Sequence, residues 1–286
     1  MKITEILSSK NITVSCELFP PKAGTPLSDA KNMIREIAEL QPSFMSVTYG
    51  AGGTTRDNTV EVANEIQNVN GVAALAHLTC IGADAKAISS VLGELKAKNI
   101  TNILALRGDI PPDGCASGEY LYASQLTEAI LRYSDFCVGG ACYPEGHLES
   151  KSLQDDINNL KIKIDSGCGF LTTQMFFDNN ILYDFMFRLL KNGIDVPVIA
   201  GIMPVINAKQ IARICSLSGT TLPPRFRAIV DRFADNPNAM NQAGIAYATE
   251  QIIDLIANGV NHIHIYTMNK PDIAGRIMSN LSEIFK

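Results

Sequence analysis

The sequence predicts one (β/α)8, or TIM, barrel of the α/β class, and three observations carry that expectation. Short, β-branched apolar runs alternate with longer helical patterns almost from end to end, which implies a parallel sheet with right-handed crossovers. The alternation repeats eight times. That is the count of a closed barrel, whereas an open doubly wound sheet usually has fewer strands. A length of 286 residues, 46% of them hydrophobic, suits a single domain spanning 1–286, since barrels of about 250 residues form one unit. No long linker, low-complexity segment or like-charge run divides the chain.

The elements follow in order. The first strand is expected over Thr13–Phe19, where Val14, Cys16 and Leu18 share one face and Thr13, Ser15 and Glu17 the other. A helix at Ser28–Glu39 leads to a strand at Phe44–Tyr49, and a helix at Asp57–Asn68 leads to a strand at Ala73–Thr79. Helix Ala83–Lys98 precedes strand Ile103–Leu106, which stops abruptly on Arg107-Gly108-Asp109 and two prolines. Then come helix Glu119–Arg132, strand Cys137–Tyr143, helix Leu153–Ser166, strand Phe170–Gln174, helix Asn180–Lys191 and strand Val196–Ile202. Helical patterns at Ala208–Leu217, Arg225–Phe233 and Asn238–Ala257 separate this from the last strand, His262–Thr267, and the last helix, Asp272–Phe285. In the last strand Ile263 and Ile265 oppose His262, His264 and Tyr266. Apolar faces turned to the helices leave the polar sets inside the barrel, which is unusual for a core that is only packed.

Composition excludes several functions. The start, MKITEILSSKN, has no basic region followed by an apolar one, so no secretory signal is read. The longest apolar candidate, Val196–Ile206, is broken by a glycine and two prolines and is far short of the roughly 18 residues of a membrane span. Seven cysteines without a C-x-x-C pair fit reduced cytoplasmic thiols. The Arg-Gly-Asp tripeptide is therefore not an adhesion signal, which needs an extracellular loop. A net charge of −5 argues against nucleic-acid or anionic-membrane partners.

Active sites of such barrels lie at the C-terminal strand ends. Those ends carry Glu17, Thr48 with Tyr49, His77 with Thr79, Arg107-Gly108-Asp109, Tyr143, Gln174, the GIMP segment and Tyr266. Nearly every strand delivers a hydrogen-bonding group to one rim, which marks a site. Individually the residues stay open. Glu17 is either an interior acid paired with a lysine or a general acid, for which desolvation of a carboxyl is suited. Asp109 caps a turn or serves the site, Arg107 pairs with a neighbouring acid or serves it, and Gly108 permits positive φ or a close ligand. His262 and His264 suggest a metal pair but lack a third ligand nearby, and hydrogen-bonded interior histidines are commoner. The glycine-rich Gly50–Asp57 segment follows a strand and opens a helix as phosphate loops do, yet it is neither G-x-G-x-x-G nor Walker A. Lys163 reads as a solvated helix lysine.

Taken together, the ordered blocks ELFPPK (Glu17–Lys22), SVTYGAGGTTRD (Ser46–Asp57), AHLTC (Ala76–Cys80), LALRGDIPP, YPEGH (Tyr143–His147), NNLKIKIDSG, TTQMFFD (Thr172–Asp178), GIMPV and HIYTMNK (His264–Lys270) resemble the methylenetetrahydrofolate reductase family. The resemblance implies a flavin-binding barrel with non-covalent FAD across the strand ends. It implies that NADH or NADPH reduces the flavin and leaves. 5,10-Methylenetetrahydrofolate then takes the hydride to become 5-methyltetrahydrofolate, for methionine synthesis or one-carbon metabolism. On this resemblance Glu17 is the acid that protonates the departing folate nitrogen, and Asp109 lies near flavin and pterin. It assigns FAD to Thr48, Tyr49, Ala51, His77, Arg107, Gly108, Asp109, Leu121, Tyr122, Ala123, Tyr143, His147, Asp156, Asn159 and Lys163. It assigns substrate to Asp109, Gln174, Gln210, Tyr266 and Lys270. Ile162 stands where some relatives carry an arginine beside FAD, and Ile214 where some carry a stacking phenylalanine. The turn after Asp109 is slightly longer than in some bacterial relatives. A homo-oligomer is implied, a C-terminal regulatory domain is not, and no metal is. Two alternatives remain at this point: a flavin subunit fed by a protein electron donor, and a non-redox folate or corrinoid methyl-transfer barrel.

Overall fold

The computed structural model describes residues 1–21, 26, 28–49, 56–110 and 118–285. The chain begins with a short helix, α1 (Ile3–Ser9), and then alternates. The succession is β1 (Thr13–Leu18), α2 (Ser28–Ala38), β2 (Phe44–Val47), α3 (Arg56–Asn64), β3 (Ala74–Thr79), α4 (Ala85–Ala97) and β4 (Asn102–Leu106). It continues with α5 (Ala123–Tyr133), β5 (Cys137–Cys142), α6 (Leu153–Asp165), β6 (Phe170–Thr173), α7 (Asn179–Lys191) and β7 (Val198–Ile202). Helices α8 (Ala208–Ser218), α9 (Pro224–Phe233) and α10 (Pro237–Ala257) precede β8 (His262–Tyr266) and α11 (Pro271–Asn280). The strands close as β1-β2-β3-β4-β5-β6-β7-β8, each parallel to the next, with β8 returning to β1 through Glu17 opposite Tyr266. The expected (β/α)8 barrel is the fold.

Local chemistry explains where the helices begin. Asp84, Ser152, Asp178, Asn207 and Asn236 each accept a backbone N–H of the first turn that follows them, a contact of about 1 kcal/mol each. Helices α9 and α11 instead begin on proline, where the missing N–H is no loss, and α10 combines its Asn236 cap with a proline at the first position. Several boundaries differ from the sequence reading, among them α5, which begins at Ala123 rather than Glu119. A π-helical turn, Glu65–Val69, follows α3 inside what reads as one helix. The last helix stops at Asn280 rather than Phe285. α1 is not visible as a helix in the sequence pattern, because two turns give too little periodicity.

Tertiary contacts form α1. Ile3, Ile6 and Leu7 pack on Phe44, Leu75, Leu104, Cys137, Phe170 and Ile199, closing the N-terminal end of the barrel. Asn102 Oδ1 accepts from Ile3 N–H at 2.9 Å, and its amide nitrogen donates to Ala74 O at 3.1 Å. The main core lies between sheet and helices and takes the outward residues, such as Val14, Cys16, Leu18, Ile263 and Ile265. Inward residues fall into two halves. From β8, β1 and β2 come Thr13, Ser15, Glu17, Ser46, His262 and His264; from β4 to β7 come Leu104, Gly139, Phe170 and Ile199.

Candidate active site at the strand ends

The polar half of the barrel holds its histidines with serine and threonine. Ser15 Oγ lies 3.0 Å from Ile263 O and 2.7 Å from His264 Nδ1. A carbonyl only accepts, so the single hydroxyl proton goes to Ile263 O and Ser15 receives the Nδ1–H of His264. In the neutral ring this leaves Nε2 to accept from the Ser46 hydroxyl at 3.1 Å. His264 also stacks on Phe44 and meets Tyr266 edge-on. His262 Nδ1 bonds the Thr13 hydroxyl at 3.0 Å. Both histidines thus take the hydrogen-bonded interior role.

Above this layer sits Glu17. Its Oε2 lies 3.7 Å from His77 Nε2 and 3.8 Å from His264 Nε2, and its side chain is 10% exposed. The carboxyl is therefore held between two imidazoles, and not by the lysine considered from the sequence. The backbone beneath it is pinned from β8: the Thr267 hydroxyl donates to Glu17 O at 2.6 Å. Asn269 bonds both backbone groups of Phe19, donating to its O and accepting from its N–H. That reach requires left-handed backbone at Met268 and Asn269, with φ of 53° and 56°.

Burial pushes the His77 ring down to about 4, only partly offset by the Glu17 carboxyl, with His264 adding to the depression. His77 is thus neutral near neutral pH, and its contact with Glu17 is not an ion pair. The unfolded chain protonates His77 near its ordinary 6.5 while the folded chain resists down to about 4. The unfolded state binds the extra proton in that window, so stability is present above it and is lost as pH falls through it. Urea unfolding is expected to show a slope up to about 1.4 kcal/mol per pH unit steeper in the wild type than in His77→Gln between these values. Equal slopes would mean that folded His77 takes its proton as freely as the unfolded residue does.

The strand ends surround a cavity of about 430 Å³, within the usual size range of small-molecule sites. Of the residues expected at the rim, Glu17, Thr48, Tyr49, His77, Gly108, Asp109, Tyr143, Gln174 and Tyr266 line it together. Gly108 has φ of 88°, and a Cβ there would come within 3.0 Å of Thr79 Cβ, so glycine serves both the backbone geometry and the close approach. Burial raises Tyr143 to about 12 and lifts Tyr266 well above the ordinary phenol value, so both remain hydroxyl donors. Tyr266 donates to Thr173 O at 2.6 Å. Gly201 leaves room for that ring, since a Cβ there would lie 2.5 Å from the Tyr266 hydroxyl. No lysine or arginine lines the cavity among the described residues.

A second group lies beside the cavity, near β5 and α6. Both terminal nitrogens of the Arg107 guanidinium, Nη1 and Nη2, grip the Glu149 carboxylate, Nη2 at 2.7 Å, while Nε donates to Gly108 O. This pairing raises Arg107 and lowers Glu149 from their ordinary values. Lys163 is not the solvated lysine that helix periodicity suggests. Its stem lies over Gly140, where a Cβ would meet Lys163 Cδ at 2.6 Å, and its Nζ donates to Ala141 O at 2.6 Å. Burial lowers its basicity. Asp156 is buried and accepts from Ser150 Oγ at 2.9 Å. His147 sits edge-on to Tyr143 at 4.6 Å and accepts the Glu149 N–H. Ala123 opens α5, and Leu121, Tyr122 and Asn159 are exposed. Gln210 and Lys270 are exposed at the starts of α8 and α11, away from the cavity wall. Ala51 and the rest of Gly50–Thr55 lie outside the described residues.

The rim reading missed Phe19, Thr172 and Thr173, which also line the cavity. Phe19 stands just past a strand end, and strand parity alone places Thr172 inward with Phe170.

Comparison with known proteins agrees in extent with this architecture. Residues 2–282 match the family model for methylenetetrahydrofolate reductase. The 5,10-methylenetetrahydrofolate reductase of Escherichia coli (strain K12) is 36% identical over 270 residues, covering 94% of this chain and 90% of that protein. The Arabidopsis thaliana methylenetetrahydrofolate reductase (NADH) 1 is 33% identical over 99% of this chain, which spans 50% of that longer protein. An uncharacterized Clostridium thermocellum protein that binds two copies of 5-methyl-5,6,7,8-tetrahydrofolic acid shares the fold, with a TM-score of 0.66 over 100% of this chain and 99% of its own, at 16% identity. With a matched region that runs through all eight strands and every cavity-lining residue, the chain belongs to the methylenetetrahydrofolate reductase family.

Proposed function

We propose that this protein is an FAD-dependent reductase that converts 5,10-methylenetetrahydrofolate to 5-methyltetrahydrofolate. In this reading NADH or NADPH supplies the electrons in a separate first stage. The observation that carries the proposal is Glu17: a buried carboxyl at the cavity floor, between two imidazoles and without a cation beside it in the described lining. Opening the five-membered ring of the folate needs a proton on the departing nitrogen, and a carboxyl at the cavity floor is placed to carry one.

The residues fit a flavin on an independent ground. Two buried polar atoms on different walls of the cavity, His77 Nε2 and Thr172 Oγ1, have no hydrogen-bond partner among the described residues. Buried polar groups are normally satisfied, so the cavity suits a flat ring with polar edges. Bound FAD would supply two-electron storage, with hydride in from the nicotinamide and hydride out to the one-carbon unit. Thr48, Tyr49, His77, Gly108, Asp109 and Tyr143 would hold the ring end. Ala51, Arg107, Leu121–Ala123, His147, Asp156, Asn159 and Lys163 would hold the rest. Arg107 and Lys163 must exchange or share Glu149 and Ala141 O to do so. Gln174, Gln210, Tyr266 and Lys270 would serve the folate and nicotinamide. With Asp109 at its rim and no described cation in its lining, the cavity favours an electron-poor folate species that carries positive charge. A cytoplasmic homo-oligomer completes the proposal.

Anaerobic mixing tests it. The purified protein loaded with FAD is expected to bleach on adding NADH or NADPH and to regain its colour on adding 5,10-methylenetetrahydrofolate. A protein that cannot take up FAD overturns the flavin reading. A flavin that ignores both nicotinamides but accepts electrons from a protein donor overturns the nicotinamide stage alone.

A further inference from the structure

We infer that Thr172 is a ring-contacting residue: its hydroxyl bonds the polar edge of the nitrogen heteroaromatic ring that fills the cavity. Three observations converge on it. Strand β6 alternates Phe170 inward, Leu171 outward into the helix–sheet core and Thr172 inward onto the cavity. Thr172 is 6% exposed, and its neighbours on the flanking strands are Ala141 and Ile199, whose side chains offer no donor or acceptor. Among the described residues its Oγ1 is one of two buried cavity-wall atoms without a partner, whereas the adjacent Thr173 hydroxyl accepts the Gly201 N–H at 2.9 Å.

Valine has nearly the same shape and would suit that apolar wall without leaving a polar atom unpaired. The hydroxyl is thus a poor choice for packing and a good one for a ligand that brings its own acceptor or donor. Shielded from solvent and unpaired among the described residues, the hydroxyl stays unsatisfied until a ring edge reaches it. The inference rests on the proposed function for the identity of the ring. Flavin and pterin share the chemistry required, an edge of carbonyl oxygens and ring nitrogens, and the experiment separates them.

Thr172→Val removes the hydroxyl and keeps the shape; Thr172→Ser keeps the hydroxyl and removes the methyl. FAD affinity is read by flavin-fluorescence quenching on the stripped protein, and 5-methyltetrahydrofolate affinity on the FAD-loaded protein. Circular dichroism and melting temperature check that both variants fold. One of the two affinities is expected to fall about 3- to 10-fold in Thr172→Val and to stay within about twofold in Thr172→Ser. A loss confined to FAD places the contact on the flavin; a loss confined to the folate places it on the pterin. If Thr172→Val binds both as the wild type does, or if both variants lose equally, the inference is wrong and the residue only packs. A wild-type protein that takes up neither ring overturns the proposed function, and the Thr172 contact falls with it.

Discussion

Glu17→Gln is expected to lower folate reduction at least about 100-fold while flavin reduction by the nicotinamide stays within about threefold. The range follows from what a positioned general acid contributes, about 10²- to 10⁴-fold. Glutamine keeps the size of the side chain between His77 and His264 but has no acidic proton to give. In the proposed two-stage reaction only the folate stage needs that proton, because only there must a carbon–nitrogen bond break. Stopped-flow measurement of the two half-reactions separates them, one following bleaching by the donor and the other recolouring by the folate. Equal losses in both would mean that Glu17 shapes the cavity and does not serve as the acid.

The largest expected loss of stability lies far from that carboxyl, at Gly244→Ala. Gly244 is buried in α10, where a Cβ would fall 1.9 Å from the carbonyl oxygen of Val205, just beyond the end of β7. The obstacle is backbone, so no side-chain rotation relieves it. Helix propensity favours alanine by up to about 1 kcal/mol, but overpacking of this kind costs about 3 kcal/mol or more. The steric effect wins, and the melting temperature should drop by about 5–10 °C. Gly93 in α4 is the matched control. Its Cβ would meet only the Tyr133 hydroxyl, at 3.1 Å, and a phenol at the end of a side chain can move. Gly93→Ala should be neutral or slightly stabilising. If the two variants melt alike, α10 slides along the barrel and the close approach is not a constraint.

The barrel was legible in the sequence because it rests on local periodicity. Val14, Cys16 and Leu18 alternate with Thr13, Ser15 and Glu17 in a way that only a strand with one polar interior face explains. Most of the strand-end residues named in advance line the cavity, among them Glu17, Thr48, His77, Asp109, Tyr143, Gln174 and Tyr266, while Arg107 and the GIMP segment do not. Parity and position along a strand fix which face a side chain takes and at which end of the barrel it lies, and both can be counted from residues.

Partnership is another matter, since it joins residues distant in the chain. That Glu17 rests between His77 and His264 depends on how β1, β3 and β8 are staggered around the barrel. The same holds for Lys163, whose stem passes over Gly140, and for Arg107, whose charge is met by Glu149. Helix α1 exists because the open end of the barrel offers Phe44, Leu104 and Phe170 to cover, which seven residues of sequence do not announce. Thr172 shows the division most clearly. Its inward direction follows from counting along β6, but that its hydroxyl has no partner among the described residues reflects Ala141 and Ile199 on the neighbouring strands. Sequence by itself determined the barrel, its polar interior and the rim. Tertiary structure alone decided which polar groups are satisfied and which are left unpaired among the described residues, because hydrogen bonds form between neighbours in space and periodicity describes only neighbours along the chain.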